Sequence, residues 1–455
     1  MIGVYNQVWL APYNVEQITQ LQIKRTMKEH DTAYIKGIMS ATSIAAYQNM
    51  IDGKTIVSLY FKEQENTQLL FAGFIKSLHV VEIGNQREAQ IELLGLTQAL
   101  DRTKATLDYQ DVSKKNTDII DVLMKSYPDI SYTVSCKQES IETLLLQYEE
   151  TDYEFLKRLL SRIEEPMYTT MQGKHGMINC GVSVRESGAV LDDAEWEISY
   201  QQGMTYCVET EEYLDLGMEV MLDEKKLIVT ECNHQYQNGE SRNIYVLGTK
   251  ELCKTTKISN HQITGISLDG VIKECKRDRV KIELNKTMPC EDEQRRWFSY
   301  SSPAASTDGS GWYCMPQIGE EARLFCPTEE ENDAYVISAI RKKDNSDTQK
   351  QQVGSNPSNK VLANADGQTV SFQETGIEMA CKNGATMLSV NQDGTIEITA
   401  NKDIHVYAEQ AVILRAEQGM CATSVNAMTL KNDTGSTILI QSEITEMANR
   451  IKNNC

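Results

Sequence analysis

The chain has 455 residues, 40% of them hydrophobic, and a formal net charge of −20. This length has room for about three domains, and the acidic balance argues against binding nucleic acid or an anionic membrane through a general basic surface. No stretch approaches the about 18 uninterrupted apolar residues of a membrane span, and the N-terminal sequence MIGVYN lacks the basic and apolar regions of a secretory signal.

Residues 18–103 predict a small β-barrel with one short helix at residues 43–51. The predicted strands are residues 18–23, 55–61, 69–81 and 87–96. Gly73, inside the run Phe-Ala-Gly-Phe, indicates a close approach of another backbone. Residues 117–125 then predict a helix that ends before Pro128.

The clearest predicted helix follows Thr151. Thr151 and Glu154 form a capping box, in which the hydroxyl and the carboxylate each accept a hydrogen bond from a backbone N–H that the helix leaves unpaired. The residues that make one apolar face are Tyr153, Leu156, Leu159, Leu160 and Ile163. Pro166 prevents further propagation, and residues 168–248 return to strand-rich sequence that predicts a second barrel.

Residues 265–342 predict another compact β unit, because five short strands in this length suit an OB-like barrel. The predicted strands are residues 265–272, 279–284, 297–300, 321–325 and 335–340. The polar stretch 342–360 predicts a linker. The acidic runs Glu149-Glu150 and Glu329-Glu330-Glu331 are interpreted as solvated faces or turns.

Two columns of apolar residues run through residues 388–438 at a spacing of eight. The first column is Leu388, Ile396, Ile404, Val412, Met420 and Met428, and the second is Val390, Ile398, Val406, Leu414, Ala422, Leu430 and Ile438. The two members of each octad lie two residues apart, so both point to one face of a strand. Turn-forming residues separate the octads.

This period is typical of a β-repeat that cannot bury its apolar face alone. A single-chain solenoid commonly needs about 20 residues per coil, so we interpret residues 370–445 as a β-prism of three chains around a shared axis. Its predicted core is Leu388, Val390, Ile396, Ile398, Ile404, Val406, Val412, Leu414, Met428, Leu430 and Ile438. The alternative is an ordinary antiparallel meander. His405 is expected to face outward from the prism, because it lies between two inward residues.

The sequence shows no candidate catalytic, cofactor or metal site. Its twelve cysteines include no Cys-x-x-Cys pair, and its six histidines form neither His-x-His nor His-Glu-x-x-His. No run combines cysteine and histidine at zinc-ligand spacing. We therefore expect reduced thiols, no cofactor and no metal, with a disulfide between chains through Cys455 as the alternative.

Three local sequences carry a family resemblance. Residues 147–160 read QYEETDYEFLKRLL and residues 278–282 read DRVKI. The motif positions are Tyr148, Asp152, Phe155 and Arg158 in the first run, and Trp297, Pro303, Gly311, Pro316, Gly319 and Glu321 in a third run. These runs resemble the spike proteins of contractile injection systems, which are the VgrG proteins of type VI secretion and the fused hub–spike proteins of phage tails and related particles. Asp278 and Ala322 stand where that family usually has glycine and valine.

The resemblance implies a mainly β chain in four parts. These are a hub of two β-barrels with a helical insert (1–258), an OB-fold domain (259–342), a linker (343–362) and an intertwined trimeric β-helix spike (363–455). Relatives with a lysozyme domain carry it between the OB domain and the spike, where this chain has only the linker. No enzyme activity is therefore expected.

The implied function is that of a structural spike and baseplate hub, a homotrimer at the tip of the inner tube that punctures the target envelope. Implied partners are inner-tube and baseplate proteins, a PAAR-type tip protein and effectors, but no nucleic acid. We expect synthesis in the cytoplasm, assembly into the particle, and delivery outside or into the target cell on contraction. A trimeric receptor-binding fibre or adhesin is the alternative.

Overall fold

The structure is a computed structural model that describes residues 8–12, 15–63, 66–191, 194–200, 203–237, 240–303, 313–338, 358–364, 366–381, 384–435, 437–440 and 444–447. The fold is mainly β, as predicted. The chain divides into two compact units, residues 1–341 and residues 342–455. The finer domain limits stay predictions.

The hub is built on one large sheet. The strands up to residue 248 are β1 (Val8–Ala11), β2 (Gln17–Thr26), β3 (Thr32–Ile38), β4 (Val57–Glu63), β5 (Asn66–Ile83), β6 (Gln86–Gly95), β7 (Ala105–Tyr109), β8 (Ser131–Val134), β9 (Leu145–Glu150), β10 (Met167–Thr170), β11 (Met177–Cys180), β12 (Arg185–Val190), β13 (Glu195–Tyr200), β14 (Met204–Glu209), β15 (Met218–Leu222), β16 (Lys225–Gln237) and β17 (Glu240–Gly248). The main path of the 12-stranded sheet is β1-β4-β5-β6-β3-β2-β16-β17-β14-β13, with β15 and β12 branching from β16.

Each of the two predicted barrel regions has its own core. One core is formed by residues between 8 and 93, and the other mainly by residues between 168 and 253. Strand β16 joins the two regions, because residues 225–228 pair with β15 whereas residues 231–237 pair with β2. The two regions therefore share one hydrogen-bonded sheet, a continuity that the sequence did not predict. The close approach predicted at Gly73 is confirmed, since a Cβ atom there would collide with the carbonyl oxygen of Leu94.

Three predicted helices are confirmed. They are α1 (Ala41–Gln48), α2 (Asn116–Met124) and α3 (Asp152–Ser161). The apolar faces of α2 and α3 share a core beside two small sheets, one of β7 and β9 and the other of β8, β10 and β11. Among the described residues, no helix has the length and apolar character needed to cross a bilayer.

The OB-like unit has its five strands where the sequence predicts them. These are β18 (Ser267–Lys276), β19 (Arg279–Leu284), β20 (Phe298–Ser299), β21 (Glu321–Phe325) and β22 (Tyr335–Ile337). They form one sheet in the order β20-β19-β18-β21-β22. Leu144 and Leu146 of the hub lie in the same buried cluster as Ile282 and Leu324. The hub therefore completes the core of the OB-like unit.

The second unit contains two antiparallel meanders. Its strands are β23 (Lys360–Ala363), β24 (Thr369–Gln373), β25 (Gly376–Cys381), β26 (Thr386–Asn391), β27 (Ile396–Ala400), β28 (Met428–Lys431), β29 (Thr437–Ile440) and β30 (Ile444–Met447). Strands β23 to β27 pair in sequence order, as do β28 to β30. Within one chain, these strands therefore form the antiparallel meanders that were given from the sequence as the alternative to a prism. Residues 401–427 lie between the two meanders and form no strand pair with other described residues.

Candidate functional site

Helix α3 begins at the predicted capping box. The Thr151 hydroxyl accepts a hydrogen bond from the Glu154 N–H at 3.2 Å, and the Glu154 carboxylate accepts one from the Thr151 N–H at 2.9 Å. The same hydroxyl donates to Asp101 at 2.6 Å. The box thus satisfies two backbone donors and ties the start of α3 to the hub.

Replacing Thr151 with alanine is expected to lower the free energy of unfolding by about 1–2 kcal/mol, because the N-cap acceptor and the bond to Asp101 are both lost. Thr151→Ser keeps the hydroxyl and is the matched control. Denaturant unfolding of both variants measures the difference. Equal stability of the two variants would show that the cap contributes little.

Arg158 on α3 is the centre of a buried ionic cluster. Its guanidinium donates to both carboxylate oxygens of Glu150 at 2.8 Å, to Glu331 at 2.7 Å and to the Leu146 carbonyl at 2.8 Å. Its side chain is 4% exposed. Burial opposes the charged form, but the bonds and charges of Glu150 and Glu331 outweigh it and raise the pKa of Arg158. The cluster joins the hub helix to the OB-like unit.

The prediction that both acidic runs are solvated is wrong for Glu150 and Glu331. Both are buried, because each faces the Arg158 guanidinium from a different element. A buried carboxylate is tolerated when a cation and hydrogen bonds offset its lost hydration. Arg158 could have indicated this from the sequence, because an arginine on the buried side of α3 needs an acidic partner.

Further hydrogen bonds connect the hub to the OB-like unit. Arg296 donates to the Glu331 and Asn332 carbonyls at 3.2 and 3.0 Å. Asn260 donates to the carbonyl of Tyr148 at 2.9 Å. Both side chains donate to backbone carbonyls across the junction, so the junction is hydrogen-bonded as well as apolar.

The first motif run lies at this junction. Tyr148 packs against the OB core, and Asp152 accepts hydrogen bonds from Tyr127 at 2.7 Å and Gln147 at 2.8 Å. Phe155 is buried, and its ring stacks on Tyr109 with centroids 5.3 Å apart. Together with Arg158, these positions hold the hub helix in place.

The third motif run is structural where it is described. Trp297 is half-buried with the Lys281 ammonium 4.8 Å from its ring centre, Pro316 is buried and Pro303 is exposed. Gly319 adopts φ +91°, a left-handed conformation that favours glycine, and Glu321 begins β21. Gly311 lies outside the described residues.

A second buried ionic cluster links the two regions of the hub. Arg25 of β2 lies 2.8 Å from Asp215 and 3.4 Å from Asp31, and its guanidinium donates to the Thr169 carbonyl at 2.8 Å. Despite burial, the charges of Arg25 and Arg185 lower the pKa of Asp215. The cluster therefore holds a carboxylate ionised inside the hub.

His234 of β16 lies near this cluster and is fully enclosed. Its Nδ1 is 3.0 Å from the Asn243 amide oxygen, and its ring stacks on Tyr213. Burial lowers the pKa of His234 to about 4. The imidazole is therefore neutral in the folded protein at ordinary pH.

His234 predicts a loss of stability in mild acid. A histidine in an unfolded chain has a pKa of about 6.5. Between about pH 6.5 and about pH 4, His234 therefore binds a proton in the unfolded chain but not in the folded one. The stability from neutral His234 is complete above that window and falls by about 3 kcal/mol across it. Denaturant unfolding should show that His234→Gln loses less free energy of unfolding between pH 7 and pH 4.5 than the parent protein does. Identical losses in the two proteins would contradict the lowered pKa of His234.

One side-chain relay has the outline of a catalytic triad. His30 lies 2.7 Å from the Thr97 hydroxyl through Nδ1 and 3.1 Å from Asp101 through Nε2. Thr97 is only 2% exposed, so its hydroxyl cannot meet a substrate as a nucleophile must. Asp101 also accepts a hydrogen bond from the Thr151 hydroxyl. The relay therefore helps to hold the start of α3 in place.

The predicted spike core is exposed in the single chain. In the first meander, Leu388 faces Ile398 and Val390 faces Ile396 across adjacent strands, so these side chains share one face. The exposed members of the predicted core are Leu388, Val390, Ile396, Ile398, Ile404, Val406, Val412, Leu414, Leu430 and Ile438, while Met428 is half-buried. Exposed apolar rows of this extent are typical of interaction surfaces.

The backbone between the meanders repeats with the octad period. It bends at residues 401–402, 409–410, 417–418 and 425–426, and the residues between these bends belong to no helix, strand or turn. Among the described residues, no backbone–backbone hydrogen bond involves residues 402–427, although the Ser424 hydroxyl donates to the Ala427 carbonyl at 2.8 Å. Backbone donors and acceptors need hydrogen-bond partners once the apolar surface around them is buried. His405 is exposed here beside Tyr407.

Comparison with known families finds a match in the OB-like unit. A family model described as "Type VI secretion system/phage-baseplate injector OB domain" matches residues 268–340. This match covers four of the five OB strands entirely and all but one residue of β18. The resemblance to injection-system proteins and the OB fold predicted from the sequence are therefore confirmed.

Comparison with solved structures supports the fold. The chain is similar to the E. coli c3393 protein, described as a component of the type VI secretion system with structural similarity to the T4 bacteriophage tail proteins gp27 and gp5, at a TM-score of 0.53 and 11% identity over 73% of this chain and 99% of that one. It also matches a 43 kDa tail protein of prophage MuSo2 from Shewanella oneidensis at a TM-score of 0.43 and 10% identity, over 55% of this chain and 99% of that one. No curated protein sequence matches the chain.

Proposed function

We propose that this chain is a structural spike and baseplate hub of a contractile injection system. The match of residues 268–340 to the injector OB domain carries the proposal. The similarity to c3393, which is described as a type VI secretion component, supports the hub fold on which that domain sits. The buried Arg158 cluster joins the hub helix to the OB-like unit. Such a link suits a protein that must transmit mechanical force between these two parts.

The proposed assembly is a homotrimer at the tip of the inner tube. The exposed octad columns support it, as does the lack of backbone–backbone hydrogen bonds between residues 402–427 and other described residues, because three wound chains would bury the columns and pair the backbone. Proposed domain limits are 1–258 for the hub, 259–342 for the OB domain, 343–362 for the linker and 363–455 for the spike.

The trimer would act mechanically and without catalysis. Inner-tube and baseplate proteins would contact the hub, and a PAAR-type tip protein or effectors would travel on the spike. Contraction would drive the trimer through the target envelope and deliver it outside or into the target cell. Closed β-structure that leaves few free strand edges suits this task, because it resists aggregation and unfolds slowly.

The test is the native mass of the purified chain by light scattering, beside a chain that ends at Arg341. We expect the full chain to be a trimer and the shorter chain to be monomeric or unstable, because the octads drive assembly. A monomeric full-length chain would overturn the spike proposal. A trimer that survives the truncation would place the assembly surface in the hub instead.

A further inference from the structure

Strand β13 is a free edge of the hub sheet. Among the described strands it pairs with β14 alone, through an unbroken antiparallel register from Glu195↔Glu209 to Tyr200↔Met204. All residues of β13 are exposed, whereas the edge strand β1 at the other end of the path has alternate residues buried. Alternate residues of an edge strand direct N–H and C=O groups away from their partner. β13 therefore offers a row of backbone hydrogen-bonding groups.

One face of this edge is aromatic and apolar. Trp196, Ile198 and Tyr200 share it with Met204, which lies directly across from Tyr200. All four are exposed, and Tyr200 is 79% exposed. Tryptophan and tyrosine side chains grouped in this way are typical of interaction hot spots. The edge of the patch is anchored, because Trp196 packs edge-on against the buried ring of Tyr206.

The other face of the edge is acidic. It carries Glu195 and Glu197, and Glu195 stands directly across from Glu209. Arg242 pairs with Glu209 at 2.5 Å, but no described residue forms an ion pair with Glu195 or Glu197. Burial and the surrounding carboxylates raise the pKa of the Cys207 thiol, which faces Glu197 across the strands. Glu209 and, less strongly, Glu195 raise the pKa of Arg242, so three glutamates share this one arginine and the face keeps a negative balance.

We infer that β13 docks an extended segment of a partner protein whose side chains alternate between apolar and basic. Such a segment would add a strand to the sheet through the free backbone groups. Its apolar side chains would cover Trp196, Ile198 and Tyr200, and its lysines or arginines would lie opposite Glu195 and Glu197. This inference concerns the hub alone and does not depend on the proposed spike.

Other occupants fit the edge less well. A second copy of β13 would bring two sets of glutamates together, and like charges across a strand pair repel. Glutamates on an edge also guard against aggregation, but that role leaves the aromatic face unexplained. A neutral strand such as β1 of another copy would leave Glu195 and Glu197 unpaired.

The test uses the full-length protein and two synthetic peptides of eight residues, one alternating valine with lysine and one alternating valine with glutamate. We expect the lysine peptide to bind at least about tenfold more tightly by calorimetry and to slow hydrogen exchange of the amides of β13. The double variant Glu195→Lys with Glu197→Lys should reverse the preference. Because both side chains are exposed, the variant should keep the circular dichroism spectrum of the parent.

A third variant separates the apolar contribution. Tyr200→Ser should weaken the lysine peptide about tenfold while leaving its preference over the glutamate peptide unchanged. Equal binding of the two peptides, or binding that does not protect residues 195–200, would overturn the inference. Protection, in the protein alone, of those β13 amides that do not bond to β14 would also overturn it, since another copy or another part of this chain would then occupy the edge. Native mass, measured separately, reports on the spike proposal.

Discussion

Aspartate in place of Leu414 is expected to dissociate the proposed trimer, whereas aspartate in place of the adjacent Ile413 is expected to leave it intact. Leu414 belongs to the second octad column, and Ile413 lies between the columns on the opposite face. The two residues are 71% and 75% exposed in the single chain, so the fold of one chain does not distinguish them. Only a core shared between chains distinguishes them, because each unpaired carboxylate buried in that core would weaken assembly by several kcal/mol.

The measurement is native mass over a range of protein concentrations, with Ile413→Asp as the matched control. The Leu414→Asp chain should become monomeric at concentrations where the control is trimeric. Circular dichroism of the hub strands should be unchanged in both. If both variants stay trimeric, the columns are not the core, and if both dissociate, the two faces of the octads are not distinct.

Alanine in place of Arg158 is expected to lower the free energy of unfolding of the hub by about 3–5 kcal/mol, because Glu150 and Glu331 would stay buried without their cation. Both carboxylates would also lose strong hydrogen bonds, and the Leu146 carbonyl would lose its donor. Denaturant unfolding at neutral pH measures the loss.

Arg162→Ala is the control for this cluster. Arg162 reaches Glu331 only at 3.8 Å and is 29% exposed, so its loss should cost less than about 1 kcal/mol. Similar losses for Arg158→Ala and Arg162→Ala would show that the buried cluster contributes no more than a surface ion pair. A variant with Arg158→Met, Glu150→Leu and Glu331→Leu should recover much of the stability, since apolar groups of similar size can replace a buried ionic set.

Local features of the sequence predicted much of the fold. The capping box at Thr151 and Glu154 depends on residues three apart, and the helix begins there. The OB strands were predictable because each is a short β-prone run between turn-forming residues. The octad period was visible as a repeat and returns as bends at the same interval between residues 401 and 426.

The features that differed from expectation depend on contacts between distant residues. Glu331 is separated from Arg158 by 173 positions, and a run of three glutamates reads as solvated until that partner is known. The joining of the hub regions through β2 and β16 is likewise a pairing that neither strand specifies alone. The exposed edge of β13 follows from its place at the end of the sheet.

By itself, the sequence determined the mainly β composition, the helix starts, the OB strands and the period of eight, because each depends on neighbours along the chain. The tertiary structure decided which charges are buried, how the two hub regions join, and that strands β23 to β27 pair within one chain while residues 402–427 form no backbone–backbone hydrogen bond with described residues. The physical reason is that burial and strand pairing depend on which distant segments meet, and local patterns of polarity carry little information about that choice.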